Sequence, residues 1–172
     1  RPGEALQLLQ SQLPGHRDAP FIWHLFCRVF LILERYPEAE SAGRQALAMG
    51  PEDTGVLTNL SLAVLYQGRH EEAVDLALRT VELAPDDPES HYWLGVMHLN
   101  TPSGGKPEWA AARDAARTAM ELNPDNADYY WLAASASGRM GAREDAARYL
   151  SGGLAVDPGN RALLMLGTRL TG

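Results

Sequence analysis

The side chains best suited to chemistry in this sequence are five histidines and a single cysteine, Cys27. His91 and His98 are seven residues apart, which on a helix places them on one face about two turns, or roughly 10 Å, apart. Histidines that share a metal ion on a helix prefer a spacing of three or four residues. This pattern predicts no metal site and no cofactor. We interpret His91 and His98 as core residues and Cys27 as a small apolar core residue.

Other stretches resemble catalytic motifs only in part. The segment Ser103-Gly104-Gly105-Lys106 lacks the glycine spacing of a phosphate-binding loop and the hydroxyl residue after the lysine. No serine lies in the pattern of a nucleophile elbow. The acidic pairs Glu71-Glu72, Asp86-Asp87 and Glu144-Asp145 fall at predicted helix starts, where carboxylates complement the helix dipole. The sequence therefore predicts a protein that is not an enzyme.

Negative charge limits the partners that the sequence predicts. The formal net charge is -7 at pH 7, whereas surfaces that bind phosphates need clustered positive charge. This balance argues against nucleic acid and against an anionic membrane surface. The longest apolar stretch, 21–33, contains His24 and Arg28 and is shorter than the roughly 20 residues of a membrane span. We expect a soluble domain and favour the cytoplasm.

Arginine strongly predominates over lysine, since Lys106 is the only lysine among the 15 Lys and Arg residues. Together with the many alanines, this usage is typical of a GC-rich bacterial genome. The chain begins with Arg1 rather than methionine, which favours a segment of a longer protein.

The strongest pattern in the sequence is a repeat of fixed length. Five alanines recur at one constant interval, which is lengthened only between the third and the fourth: Ala5, Ala39, Ala73, Ala112 and Ala146. Four prolines keep the last three of these intervals: Pro51, Pro85, Pro124 and Pro158. A fixed period of about 34 residues is typical of a solenoid of repeated units. Such folds commonly present an extended surface to other chains.

Each repeat is predicted to contain two helices. In the second repeat, Leu57, Leu60 and Val64 recur at the three- and four-residue spacing of one amphipathic face, and Gly68 ends that helix. A second helix follows, and Pro85 ends the repeat because a proline nitrogen cannot donate into a helix. The predicted repeats are 20–53, 54–87, 88–126 and 127–160.

Small residues recur at the points where the two helices of a repeat would cross. On the second helices these are the periodic alanines from Ala39 onward, and on the first helices they are Cys27, Ser61, Gly95 and Ala134. A long side chain at such a crossing would push the helices apart. We therefore expect these positions to be buried.

The residues at these positions resemble the tetratricopeptide repeat, whose signature places Trp, Leu, Gly, Tyr, Ala, an aromatic residue, Ala and Pro at fixed points of the period. The first repeat matches with Trp23, Phe26, Cys27, Phe30, Ala39, Gly43, Ala46 and Pro51. In three repeats a small residue replaces the aromatic one of the second helix. The resemblance covers 20–160. It implies an all-α fold, a right-handed α-solenoid of tandem helix-turn-helix repeats, in one domain over 1–172.

Both ends and one insertion fit this scheme. Residues 3–13 resemble the second helix of a truncated repeat. Residues 160–170 resemble a C-terminal capping helix, which would cover the last apolar face. The third repeat is five residues longer than the others, and the extra residues are expected in 101–107, between its two helices. They form either a tolerated loop or a contact loop that carries Lys106, with Trp109 packed under it.

In the tetratricopeptide family the first helices of the repeats line a concave groove, so the resemblance implies a candidate binding surface. The candidate residues are Phe21, His24, Leu25, Arg28, Asn59, Leu62, Tyr66, Tyr92, Trp93, Val96, Trp131 and Arg139. Most are apolar or aromatic, and large aromatic side chains are typical anchors for a partner. Arg28 and Arg139 are candidates for binding acidic groups near the two ends of the groove.

Trp93 and Trp131 are displaced from the signature position that Trp23 holds in the first repeat. His91 and Tyr130 hold that position in their repeats, and the tryptophans follow two residues and one residue later. The displacement predicts that each indole turns toward the groove. The alternative is that both pack against neighbouring first helices and stay buried.

Two ligand sites known in the family do not match this sequence. In the clamp that holds the carboxylate of chaperone tails, the last two basic positions are occupied here by Glu89 and Trp93, and Glu89 would repel a carboxylate. In the asparagine ladder of nucleotide-sugar glycosyltransferases, only Asn59 holds its place. Neither function is expected.

The sequence as a whole predicts a non-catalytic scaffold for protein–protein interaction. Its expected ligand is a peptide or helix in an apolar, aromatic-lined groove, supplied by another protein or by a segment of its own chain. One alternative is a structural module that assembles identical copies into oligomers. Another is a regulatory domain of a larger enzyme or membrane protein.

Overall fold

Some helices in this chain begin after a residue whose side chain caps the helix N-terminus. The Asp53 carboxylate accepts a hydrogen bond from the backbone N–H of Val56 at 3.0 Å, and the Asp87 carboxylate accepts one from Ser90 at 3.1 Å. These bonds satisfy backbone donors that have no partner within the helix. Pro88 follows Asp87 in the first turn, where its missing N–H costs nothing.

The computed structural model describes the backbone of residues 1–101 and 106–171 and the side chains of 1–101 and 108–170. These described residues form ten α-helices and no strand, so the predicted all-α class is confirmed. The helices are α1 (Pro2–His16), α2 (Pro20–Ile32), α3 (Tyr36–Met49), α4 (Thr54–Leu65), α5 (His70–Leu83), α6 (Pro88–Leu99), α7 (Lys106–Leu122), α8 (Ala127–Arg139), α9 (Arg143–Val156) and α10 (Arg161–Thr171). Most of the insertion predicted in 101–107 lies outside the described residues.

The turns that follow α2, α4 and α8 each contain one residue with a positive φ. Gly68 and Gly141 have φ of 82° and 77°, a left-handed conformation that glycine adopts without steric cost. In the first repeat, Glu34 holds the equivalent position and has a φ of 57°. In each turn, the residue that follows the one with positive φ donates its backbone N–H to the carbonyl five residues before it, as in a Schellman motif. The pairs are Arg35 to Phe30, Arg69 to Val64 and Ala142 to Ser137.

The chain divides into two compact units, Arg1–Leu83 and Ala84–Gly172, which we call the N-terminal unit and the C-terminal unit. In the N-terminal unit, α1 packs on α2, and α2 to α5 pack each on the next. In the C-terminal unit, α6 to α10 do the same. First helices also touch within each unit, α2 with α4 and α6 with α8. The assignment of 1–172 to one domain stays a prediction.

Small residues lie at the helix crossings, as the sequence predicts. The four alanines on the second helices, Ala39, Ala73, Ala112 and Ala146, are fully buried, and so are Cys27, Ser61 and Ala134 on the first helices. Burial raises the pKa of the Cys27 thiol to about 12. Because the thiol therefore stays protonated and shielded, Cys27 is a core residue rather than a reactive one.

None of the helices in the described part of the chain has the length and apolar character that crossing a membrane requires.

Four charged side chains join α3 to the start of α5. Arg69 donates two hydrogen bonds to Glu40, both at 2.8 Å, and Arg44 donates to Glu40 and to Glu72. The amide of Gln67 also donates to Glu40 at 2.8 Å. The hydrogen bonds from Arg69 are the main reason that the pKa of Glu40 falls from 4.5 to about 2. Glu40 is therefore charged in the folded protein across the usual pH range.

Glu40 is expected to make the stability of the protein depend on pH. Its folded pKa lies below its unfolded pKa, so its contribution is complete above about pH 4.5 and is lost as the pH falls toward about 2. Because the side chains of Arg44 and Arg69 are 49% and 41% exposed, solvent screens the pairs. We expect Glu40→Gln to lower the free energy of unfolding at pH 7 by about 1–2 kcal/mol.

Urea unfolding of wild type and Glu40→Gln between pH 7 and pH 2.5 measures this effect. The difference between the two proteins should shrink as the pH falls. Glu71→Gln is the matched control, since Glu71 is an exposed carboxylate of α5 with no ion pair to any described residue. A constant difference at all pH values would contradict the assignment.

Candidate functional site

In the N-terminal unit, the first helices α2 and α4 expose large apolar side chains. Phe21 and Tyr66 are 56% and 59% exposed, and Leu25 is 37% exposed. The Tyr66 ring stacks on Tyr36 with 4.9 Å between centroids, and the Phe21 ring lies 6.1 Å from that of His16. These three candidate residues therefore lie at a surface, where a partner could reach them.

A neutral polar pair lies on the same two helices. The Asn59 amide donates to Nε2 of His24 at 2.9 Å, since an amide nitrogen cannot accept. Burial is the main cause that lowers the pKa of His24, and Arg28 adds to this, whereas Asp53 acts in the opposite direction. Leu62 is half-buried and Arg28 is exposed. This face of the N-terminal unit combines exposed rings, a neutral imidazole and one cation.

In the C-terminal unit, the aromatic residues of α6 pack partly against their own unit. The Tyr92 ring meets Trp93 edge-on at 5.1 Å and lies 5.5 Å from the ring of Tyr129 on α8. Tyr92 and Val96 both pack against the core between α6, α7 and α8. Trp93 is half-buried. Burial raises the pKa of Tyr92 to about 12, so its hydroxyl remains neutral.

Tyr129 connects α8 to the first turn of α6. Its hydroxyl donates to a carboxylate oxygen of Glu89 at 2.7 Å, and the ring is 1% exposed. Burial and this hydrogen bond raise the pKa of Tyr129. The contact fixes the two first helices of this unit side by side.

A cavity of about 490 Å³ lies between α6, α8 and α10, within the size range of ligand sites. We call it the α8–α10 cavity. Trp131 lies on one wall and also packs against the core of the unit. The larger apolar side chains that also line it are Leu99, Met165, Leu166 and Leu170, and Ala162 adds a small one. Met165 is 55% exposed, so the apolar lining continues to the surface.

Two arginines line the same cavity. Arg139, in the last turn of α8, donates to the backbone carbonyl of Leu99 at the end of α6. Arg169 is an exposed residue in the last turn of α10. Neither forms an ion pair with another residue in the described part of the chain. Asn100 and Ser135 complete the polar lining.

Gly138 lets α10 approach α8 at this cavity. A Cβ atom at Gly138 would lie 2.9 Å from Cδ2 of Leu170. The contact with the methyl end of Leu170 determines how closely the two helices pack here, and therefore contributes to the shape of the cavity.

The structure separates the candidate residues into two groups by unit. Seven lie in the N-terminal unit, namely Phe21, His24, Leu25, Arg28, Asn59, Leu62 and Tyr66, and the other five lie in the C-terminal unit. Of those five, Trp131 and Arg139 line the α8–α10 cavity. Sequence reasoning missed the α10 side of this cavity, because it treated 160–170 only as a cap. The sequence did contain a signal for this side of the cavity, because Arg169 lies with Leu166 and Leu170 on one face of the predicted helix.

The residues singled out for possible chemistry have structural contacts. Nε2 of His91 lies 2.7 Å from the carbonyl oxygen of Pro85, to which it donates. Burial lowers the pKa of His98. Both side chains are half-buried rather than fully buried, which corrects their interpretation as core residues. Among the described residues, no three His, Cys, Asp or Glu side chains are grouped as a metal site would require.

Trp109 on α7 packs against the core of the C-terminal unit. Its indole N–H is buried, with no hydrogen-bond acceptor among the residues that the structure describes. The predicted contact with the segment before it lies outside the described residues.

The tetratricopeptide repeat family model matches this chain at 28–88 and 58–103. These matches include the predicted second repeat and parts of its neighbours. No protein with a curated description matches the sequence significantly.

Solved structures of tetratricopeptide-repeat proteins share the fold. A thermophilic protein of this kind from Thermus thermophilus has a TM-score of 0.79 at 20% identity, over 99% of this chain and 89% of that one. MamA from Desulfovibrio magneticus RS-1 has a TM-score of 0.77 at 18% identity, over 93% and 88%. YrrB has a TM-score of 0.74 at 21% identity, over 97% and 84%. The helical repeats, the family match in 28–103 and the fold shared with these solved structures confirm the predicted all-α solenoid of the tetratricopeptide-repeat type.

Proposed function

We propose that this protein is a non-catalytic interaction module that binds a peptide or helix of another protein, with the α8–α10 cavity as its main contact. The observation that carries the proposal is an apolar cavity of about 490 Å³ that has Trp131 on its wall and Met165 at its surface. Indole and thioether side chains in such a position are typical anchors for a partner's apolar side chain.

The exposed rings of the N-terminal unit support the same class of function. Phe21, Leu25 and Tyr66 give α2 and α4 an exposed apolar surface that a peptide could cover. The solved relative YrrB is a tetratricopeptide-repeat protein with an unusual peptide-binding site. At 21% identity this relative supports the class of ligand and not the residues that bind it.

Trp131→Ala is expected to weaken peptide binding by about 2 kcal/mol, or roughly 30-fold in Kd, because the anchor ring is lost. The probe is a set of peptides of about twelve residues, some three turns if helical, selected from a random phage-displayed library on the wild-type chain. Fluorescence anisotropy gives each Kd, and circular dichroism checks that the variant is folded.

A second variant guards against an indirect effect, since Trp131 also contacts the core. Ala162 is an exposed residue of α10 at the cavity, so Ala162→Trp should block the site without removing a buried contact. Ala155→Trp, at an exposed position of α9, is the matched control and should bind like wild type. Equal binding by all four proteins would place the peptides elsewhere and reject the cavity as the main contact.

Self-assembly is a second candidate function, because Leu164 and Met165 of α10 are 47% and 55% exposed. Exposed apolar side chains of this kind can pack on another copy of the chain. Light scattering over a range of protein concentrations separates the two functions. A mass that rises with concentration, and falls to the monomer in Ala162→Trp, would favour self-assembly.

A further inference from the structure

The charge at the α8–α10 cavity is opposite to that of the whole chain. The protein carries a net charge of -7, yet the ionisable residues that line the cavity are Arg139 and Arg169, and no Asp or Glu is among the lining residues described. An anionic group entering the cavity would therefore meet two cations and no nearby carboxylate of the lining.

Arg139 is held in place while most of its donors remain available. One of its terminal nitrogens donates to the Leu99 carbonyl, which fixes the guanidinium at the end of α6. A guanidinium has five N–H donors in a planar fork that fits a carboxylate with two parallel bonds. Holding the cation before binding reduces the side-chain entropy lost when a ligand is bound.

Apolar side chains border these cations. Trp131, Leu166 and Leu170 lie on the walls of the same cavity, so one ligand could contact both kinds of surface. An acidic group alone would leave the apolar walls exposed, and an apolar group alone would leave the arginines without an anion.

We propose that the α8–α10 cavity recognises a protein segment in which an Asp or Glu side chain lies beside a large apolar side chain. The apolar side chain packs on Trp131, and the carboxylate pairs with Arg139 and Arg169. This inference rests on the proposed peptide-binding function and adds the chemistry of the ligand. It differs from the chaperone-tail clamp, whose last two basic positions are occupied in this chain by Glu89 and Trp93.

The test uses the peptides selected from the random library on the wild-type chain. They should be enriched in Asp or Glu next to a large apolar residue, and replacing that acid by its amide should weaken binding by about tenfold. Arg169→Gln should weaken binding about threefold and the Arg139→Gln/Arg169→Gln protein about tenfold. Arg169 is exposed and unpaired among the described residues, so its variant should fold normally. Added salt should reduce wild-type affinity more than that of the double variant.

The matched control is Arg143→Gln/Arg161→Gln, which removes the same charge at exposed positions outside the cavity. It should bind like wild type. Selected peptides without acidic enrichment, or equal losses in both double variants, would overturn this inference while leaving the proposed function intact. Recovery of no peptide would overturn both. The inference would also be overturned if a second copy of the chain occupied the cavity. Light scattering would then show an oligomer for the wild type and a monomer for Ala162→Trp.

Discussion

Replacing Gly95 by valine is expected to lower the free energy of unfolding by about 3 kcal/mol. Gly95 lies where α6 crosses α7, and a Cβ atom there would be 2.7 Å from Cδ2 of Leu132 and 3.0 Å from the backbone oxygen of Ala112. The backbone oxygen cannot move without shifting α7, and Leu132 is completely buried. The branched valine side chain must therefore separate helices that pack closely in wild type.

The matched control replaces a glycine at another helix crossing, where the neighbouring side chain can move aside. Gly138→Ala meets only the methyl end of Leu170, at 2.9 Å, and gains about 1 kcal/mol of helix propensity. Its net effect should be close to zero. Urea unfolding followed by circular dichroism measures both variants. If Gly95→Val proved as stable as Gly138→Ala, the close approach of α6 and α7 would be wrong.

Leu132→Ala is expected to be at least as damaging, lowering the free energy of unfolding by about 3–4 kcal/mol. Leu132 is fully buried in the core of the C-terminal unit, in a cluster with Leu99 and Ala136. Truncation removes apolar contacts and leaves a cavity that surrounding helices fill only in part. The same urea measurement tests this value.

The two substitutions should not be additive, because the Leu132 side chain is the nearest of the three groups that a side chain at Gly95 would meet. In the double variant, the shorter alanine side chain that replaces Leu132 would leave space for part of the valine. We expect the double variant to be about 1 kcal/mol more stable than the sum of the two losses predicts. Strict additivity would show that the contact with the Ala112 backbone alone accounts for the cost at Gly95.

The fold could be predicted because its repeating contacts need particular residue sizes at fixed intervals. Ala73 and Ala112 can be recognised in the sequence since only small side chains fit where two helices cross, and both are fully buried. Gly68 and Gly141 are equally visible in the sequence, because the turns after α4 and α8 have a positive φ at these positions, where glycine is favoured. Glu34 shows that this backbone conformation can also form without glycine.

The site was less predictable because it depends on contacts between helices that no periodic pattern encodes. From their displacement in the sequence, Trp93 and Trp131 are both predicted to face the groove. Both are half-buried in the structure. Trp131 lines the α8–α10 cavity, whereas Trp93 meets the edge of the Tyr92 ring. The difference arises from α10, whose approach to α8 depends on Leu170 fitting over Gly138. That fit is a tertiary contact between residues far apart in sequence.

Nuclear magnetic resonance of the indole N–H groups can show directly whether a peptide binds at the α8–α10 cavity. The chain has four tryptophans, whose signals can be assigned with single Trp→Phe variants. On titration with a selected peptide, we expect the largest shift at Trp131, together with shifts at the Arg139 and Arg169 side chains. If a saturating peptide left these three signals unchanged, the peptide would bind elsewhere and the cavity would not be its site.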